Sequence, residues 1–351
     1  MTLQQLLGIE LPIIQAPMAG VQGSAMAVAV SNAGGLGSLP CALLSLDAIR
    51  GELSAIAAQT AKPINVNFFC HIPPAFNAER DAIWKTVLAP YYRALGIDPE
   101  TIPAAPGRAP SFDAEAAALL SEFKPAVVSF HFGLPSQELV AEVKRAGSKI
   151  LSSATTVDEA VWLETHGADA IIAQGLEAGG HRGMFLSEEL TTQVGTLALV
   201  PQILEKVRIP VIAAGGIADA RGVVAALALG AEGVQMGSRM VSAAESPVHP
   251  NWKAAIVGAA ETDTVFLNRF SKPGLRALKT ARSLALEREE HVGLDVFGRA
   301  MDLYFGGDME ASIALGGQVV GRIDAVKPVA EIIEETVRGY RATVARLAAG
   351  V

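Results

Sequence analysis

The sequence predicts an α/β protein closed into a (β/α)8 TIM barrel with a small C-terminal lid segment or subdomain, on three observations. Eight short apolar runs recur through the first two thirds of the 351 residues, bounded by glycine-containing turns. Helical patterns of the length a βα unit needs separate several of them, as at 157–166 and 221–229. Half of the residues are apolar and only 18% charged, with Ala, Gly, Val and Ile prominent, which suits parallel strands buried on both faces. Eight alternating units favour closure over an open doubly wound sheet. The open Rossmann-like or flavodoxin-like alternative also lacks a GxGxxG stretch opening a helix after the first strand.

In chain order the strands are expected at 13–17, 36–39, 64–69, 126–132, 149–154, 170–174, 211–214 and 233–236. Side chains alternate across a strand, so parity separates barrel interior from helix-facing exterior. In the third strand Ile64, Val66 and Phe68 then face out, leaving Asn65 and Asn67 inside. In the fourth, Val128, Phe130 and Phe132 face out, leaving Ser129 and His131 inside. Gln174 is inward in the sixth strand, and Gln15 and Gln235 are expected inward in the first and eighth.

Two connections are long: 70–124, with His71, Pro73, Pro74, Trp84, Tyr91 and Tyr92, and 176–208, which opens glycine-rich and charged. Residues 239–322 fit no further βα unit and are expected to form a lid or small substrate-side domain. The division is therefore 1–238 for the barrel, 239–322 for the lid, and 323–351 for a terminal stretch whose amphipathic helix, 329–347, packs back on the barrel.

A net charge of −8 without any dense basic run argues against nucleic acid. Cys41 and Cys70 stand apart without metal-type spacing, which excludes a disulfide framework and fits a reducing cytoplasm. The uncharged stretch from Leu11 to Leu46 is broken by Gln15, Pro17, Gln22, Asn32 and Pro40, so no membrane span of about 20 apolar residues survives. The start shows neither a basic region nor a signal-type apolar run. A soluble cytoplasmic protein is expected, with a homodimer left open.

Val211-Ile-Ala-Ala-Gly-Gly-Ile217 and Gly233-Val-Gln-Met-Gly-Ser-Arg239 form the seventh and eighth strands with their turns, the pair that binds phosphate in many barrels. Glycines let backbone N–H groups approach an anion, and a short helix starting after Ser238 adds its positive end. The pattern suits FMN and inosine monophosphate alike. An inosine-monophosphate dehydrogenase needs a nucleophilic cysteine after strand six, and none occurs between Ala173 and Gly183. Inward amides point to a ligand with donors and acceptors along one face, such as a flavin ring; each amide alone is equally accounted for by bonds to neighbouring backbone. In Gln174-Gly-Leu-Glu-Ala-Gly-Gly-His-Arg-Gly183, His181 is placed to act as a general base and Arg182 to bind an anionic oxygen. His71, His166, His249 and His291 show no partner pattern, and no spacing suggests a metal.

These motifs, in order, resemble those of the nitronate monooxygenases, formerly 2-nitropropane dioxygenases. The resemblance runs through Gln15-Ala-Pro-Met-Ala-Gly20, Asn67-Phe-Phe-Cys-His-Ile-Pro-Pro74, Ser129-Phe-His-Phe-Gly-Leu-Pro135, Ser152-Ser-Ala-Thr-Thr156, the loop above, Ala214-Gly-Gly-Ile217 and Gln235-Met-Gly-Ser238. It departs between Asn268 and Arg282, at Phe270-Ser-Lys-Pro-Gly274. The set is similar to the first class of that family, which handles small alkyl nitronates such as propionate 3-nitronate. The resemblance implies FMN contacts from Asn67, Gln174, Gly179, Gly216, Gln235, Met236, Gly237 and Ser238, with Met18 beside the flavin ring. It implies His181 as the catalytic histidine and His131 as a second histidine of the substrate pocket. The implied reaction passes electrons from a nitronate through FMN to oxygen, giving a carbonyl compound and nitrite. Two alternatives stand beside it: an NAD(P)H-dependent FMN reductase acting on an enoyl thioester or quinone, and a non-catalytic flavin- or phosphate-binding barrel.

Overall fold

A computed structural model describes residues 1–71, 77–94, 96–102, 111–268, 273–288, 309 and 313–350. Pro73, Pro74, His291, part of the 239–322 segment and the start of Phe270-Ser-Lys-Pro-Gly274 lie outside the described residues.

Eleven strands are described: β1 Ile13–Gln15, β2 Gly37–Pro40, β3 Ile64–Phe69, β4 Val127–His131, β5 Lys149–Ala154, β6 Ala170–Gln174, β7 Gly180–His181, β8 Val211–Ala214, β9 Gly233–Met236, β10 Thr264–Leu267 and β11 Leu275–Leu278. Eight of them form one parallel sheet in the order β1-β9-β8-β6-β5-β4-β3-β2. A parallel bridge between Ile14 and Leu36 joins its two ends, so the sheet closes into the expected barrel. Several of the intervening helices start on side-chain caps, as Ser45, Asp113, Thr156 and Asp219 accept from backbone N–H groups of the first turn.

The seam between β1 and β2 corrects one expectation. Ile14 joins the cluster inside the barrel and Ile13 the cluster outside it, so alternation puts Gln15 on the outer register. Its amide is engaged at both ends, donating to Ser38 O at 3.2 Å and accepting from Ser38 N at 3.0 Å. Where β1 runs out of backbone partners, this fully buried side chain continues the ladder and offers nothing to a ligand.

The lower interior is a packed plug. Leu3 and Leu7 of the helix Leu3–Leu7, with Ile9, meet Ile14, Leu36, Val127, Leu151, Ile172 and Ile212 from the strands. Outside, Ile64, Val66, Phe68, Val128 and Phe130 pack against the helices Leu46–Ala57 and Ala114–Phe123. The helix Val329–Ala349 lies against the helices Ala220–Ala228 and Ser24–Asn32, burying Val329, Ile332, Ile333 and Thr336. With its bottom filled and its flanks covered, the barrel leaves its strand C-termini as the open end.

A second sheet forms at that end. β10 and β11 pair antiparallel, and β11 pairs with β7, so that Leu275 stands opposite His181 and Arg276 opposite Gly180. The loop after β6 thus donates a strand to the sheet built by the segment after residue 239. Trp84, Leu88 and Tyr92 from the β3–β4 connection pack on this sheet with Leu267, Leu275 and Ile313.

Candidate functional site

The C-terminal ends of the strands surround a cavity of about 1380 Å³, measured out to its open mouth. Of the sequence-derived candidates, Met18, Asn67, His131, Gln174, Gly179, His181, Gly216, Gln235, Gly237 and Ser238 all line it. Met236 does not: it is 1% exposed and packs in the outer core with Ile13 and Met26. Parity explains the separation, since Gln235 and Met236 are neighbours on one strand and must face opposite sides.

The inward amides divide by what they bind. Asn67 donates to Ser129 O at 3.2 Å and to Ser129 Oγ at 2.9 Å. Gln174 donates to the carbonyl of His181 at 3.0 Å and accepts from Gly183 N at 2.7 Å, so it organises the loop that follows its own strand. Gln235 is different: its Oε1 is buried in the cavity wall with no hydrogen-bond partner. A buried amide oxygen left in that state costs about 1–3 kcal/mol, which a ligand donor would recover.

The turns after β8 and β9 form one wall. Gly215 (φ +109°) and Gly216 (φ +72°) are left-handed, a conformation glycine adopts without penalty. Gly237 precedes the one-turn helix Ser238–Val241. Beside them lie Gly316 and Gly317, cavity residues from the far end of the chain that sequence reasoning missed. Gly317 N donates to Ser238 Oγ at 2.8 Å, and Gln318 N to Glu177 O at 2.9 Å. The fit is tight, because a Cβ on Gly179 would sit 2.5 Å from Gly317 N. The paired glycines at 316–317 were the available signal, but nothing local in the sequence links them to a loop some 140 residues earlier.

His131 and His181 line the same cavity. Ring packing crowds them: His131 lies 4.3 Å from the Phe132 ring and 5.8 Å from Phe69, with His181 6.4 Å from Phe132. Burial pushes the His181 imidazole down to about 3, with His131 and His71 adding to the effect. Burial likewise pushes His131 down to about 4, opposed by its bond to the His181 carbonyl and helped by Arg182 and His71. Both rings are therefore neutral at pH 7. Phe132 holds φ +68°, a strained conformation for a bulky residue, at the turn that sets the neighbouring His131.

Arg182 corrects a second expectation. It is wholly buried, and its guanidinium donates to Gly175 O and Gln174 O, each at 2.7 Å, and to Gln193 Oε1 at 2.9 Å. All three acceptors belong to the β6 end and its loop, and Arg182 does not line the cavity. In an alternating strand the residue after His181 must point away from it. Burial lowers the guanidinium to about 10, with Arg276 reinforcing this and Glu177 and Glu159 countering it, so it stays charged at neutral pH.

Two carboxylates complete the loop's frame. Buried Glu159 accepts from Thr155 N and Oγ1 with one oxygen and from Phe185 N and Leu186 N with the other. Glu177 accepts from Thr196 N and Oγ1 at the start of the helix Thr196–Leu204. Of the remaining histidines, His249 caps the helix Pro250–Val257 and His166 stacks on Trp162 at 3.8 Å, both away from the cavity. Cys41 and Cys70 are thiols whose pKa burial raises, which suits packing and not nucleophilic chemistry. Among the described residues no helix is long and apolar enough to cross a membrane.

Known proteins share much of this sequence and fold. The family model described as nitronate monooxygenase matches residues 1–339. A nitronate monooxygenase of Paraburkholderia phytofirmans is 44% identical over 286 residues, covering 80% of this chain and 75% of that protein. Among solved structures, the nitroalkane oxidase of Streptomyces ansochromogenes superposes with a TM-score of 0.86 at 32% identity, over 98% of this chain and 99% of that one. FabK from Thermotoga maritima superposes with a TM-score of 0.78 at 32% identity, over 100% and 99% of the two chains.

Proposed function

The chain belongs to the nitronate monooxygenase family, and from that premise we propose that it oxidises small alkyl nitronates with oxygen to a carbonyl compound and nitrite, using FMN held in the barrel mouth. One observation carries the reading: a single cavity joins glycine turns suited to a phosphate, an orphaned amide oxygen and two neutral histidines.

The residues present fit the cofactor. Backbone N–H groups at Gly215, Gly216, Gly237 and Ser238, with Gly316 and Gly317 beside them, suit its phosphate. Gln235 Oε1 needs a donor, which a flavin ring edge supplies, and Asn67 lies on the same interior face. Met18 gives that region an apolar, polarisable side. Bound there, the flavin would supply the redox chemistry between nitronate and oxygen, while the protein supplies position and electrostatics.

The depressed basicity of His181 favours one substrate form. A ring with depressed basicity is a weak proton acceptor, so abstraction from a neutral nitroalkane gains less from it than from an ordinary histidine. A nitronate has already lost that proton and needs only a donor or a neutral surface. The site therefore suits preformed nitronates, with nitroalkanes as slower substrates. The β10–β11 sheet holds the main chain of His181 and shapes the mouth, the role proposed for the 239–322 segment.

The test is aerobic turnover of propionate 3-nitronate by the flavin-loaded protein, following oxygen uptake and nitrite together. Absence of both overturns the reading. A reductase on the same barrel predicts instead that NADH or NADPH bleaches the flavin rapidly without oxygen.

A further inference from the structure

Both ring nitrogens of His131 are engaged. Nδ1 meets Ser153 Oγ at the C-terminal part of β5, and Nε2 lies 3.4 Å from the carbonyl oxygen of His181. A carbonyl only accepts, so Nε2 carries the proton; in a neutral imidazole Nδ1 is then an acceptor, and the Ser153 hydroxyl must donate to it. The same His181 carbonyl also receives the Gln174 amide. Two donors from β4 and β6 thus converge on one main-chain oxygen, while β11 holds the strand from its other side.

We propose that Ser153 is a positioning residue for His181. By donating to Nδ1 it holds His131 in the Nε2–H tautomer, and His131 with Gln174 then fixes the main chain that aims the His181 ring into the cavity. A separate observation points the same way. A Cβ on Gly183 would lie 2.6 Å from His131 Cε1 and 2.8 Å from Ser153 Oγ, so the chain just beyond His181 closes directly on the pair. The Ser152-Ser-Ala-Thr-Thr156 stretch thereby gains a role, through a residue only 4% exposed. His131 is assigned as a hydrogen-bond donor to protein, not as a second base.

The tautomer is read by long-range ¹H–¹⁵N correlation on the ¹⁵N-histidine-labelled holoprotein near neutral pH, with His131 assigned from its missing signals in His131→Asn. Protonated Nε2 with bare Nδ1 is expected; a proton on Nδ1, or averaging between tautomers, overturns the proposal. In turnover, Ser153→Ala should lower kcat on a neutral nitroalkane about five- to tenfold, the worth of one neutral hydrogen bond, with KM within about twofold. Ser153→Thr, which keeps the hydroxyl, should restore it. Full kcat in the alanine variant, or no rescue by threonine, overturns the proposal. The kinetic arm rests on the proposed function and the tautomer arm does not. Wild-type protein silent on both substrates would remove the function and leave Ser153 to be judged by the nitrogen spectra.

Discussion

Arg182→Met separates a structural arginine from a substrate-binding one. The change removes a guanidinium that satisfies Gln174 O, Gly175 O and Gln193 Oε1 from a fully buried position. Replacing a buried ion pair by a hydrophobe can be neutral, because both charges leave together. Here the acceptors are two backbone carbonyls and an amide, and they stay behind. At about 1 kcal/mol for each orphaned acceptor, the loss comes to about 3 kcal/mol. In a denaturant melt the midpoint should fall without a change in slope. Flavin-loaded protein that remains folded should keep its nitronate KM within about twofold, since the guanidinium never reaches the cavity. A variant with an unshifted midpoint and a KM raised about tenfold or more would refute the reasoning and return Arg182 to anion binding.

Other outcomes follow from the same site. His181→Asn should lower kcat/KM on a neutral nitroalkane by up to about 10²-fold, the low end of general-base help because the ring is a weak base, while largely sparing the nitronate, and equal loss on both would remove the base role. His131 and His181 titrate below the ordinary histidine value of 6.5, so between that pH and about 3 the unfolded chain binds more protons than the native one. The stability they contribute is complete above pH 6.5 and is lost as the pH falls through that window, which denaturant midpoints at stepped pH would record; a flat profile there refutes it. Gly179→Ala drives a Cβ to 2.5 Å from Gly317 N and should weaken FMN binding about tenfold or more by fluorescence titration. Gly216→Ala meets only ordinary contacts at 3.5 Å but must hold φ +72°, so it should cost about 1 kcal/mol and bind FMN with the smaller loss of the two.

The barrel was legible because its signals are local. Each of the eight strands announces itself by an apolar run and a turn, and period-two alternation put Asn67, His131, Gln174 and Gln235 on the cavity side without knowledge of any neighbour. Glycine turns after the last two strands were visible for the same reason. Parity was misapplied at β1, where three residues are too few to show alternation and Gln15 was needed to close the seam. It was not applied to β7, a two-residue strand whose pairing to β11 turns Arg182 inward to protein and leaves His181 facing the cavity.

What the sequence determined by itself was the fold, the open end of the barrel and most of the cavity's polar wall, since these depend on spacing along a strand. Only the tertiary structure decided who satisfies whom. The carbonyl of His181 is held from β4 and β6, Ser153 turns out to face His131, and Gly316–Gly317 close over a loop far earlier in the chain. Hydrogen-bond partners across a closed barrel are fixed by register and chain crossing, and neither is written in any local window of residues.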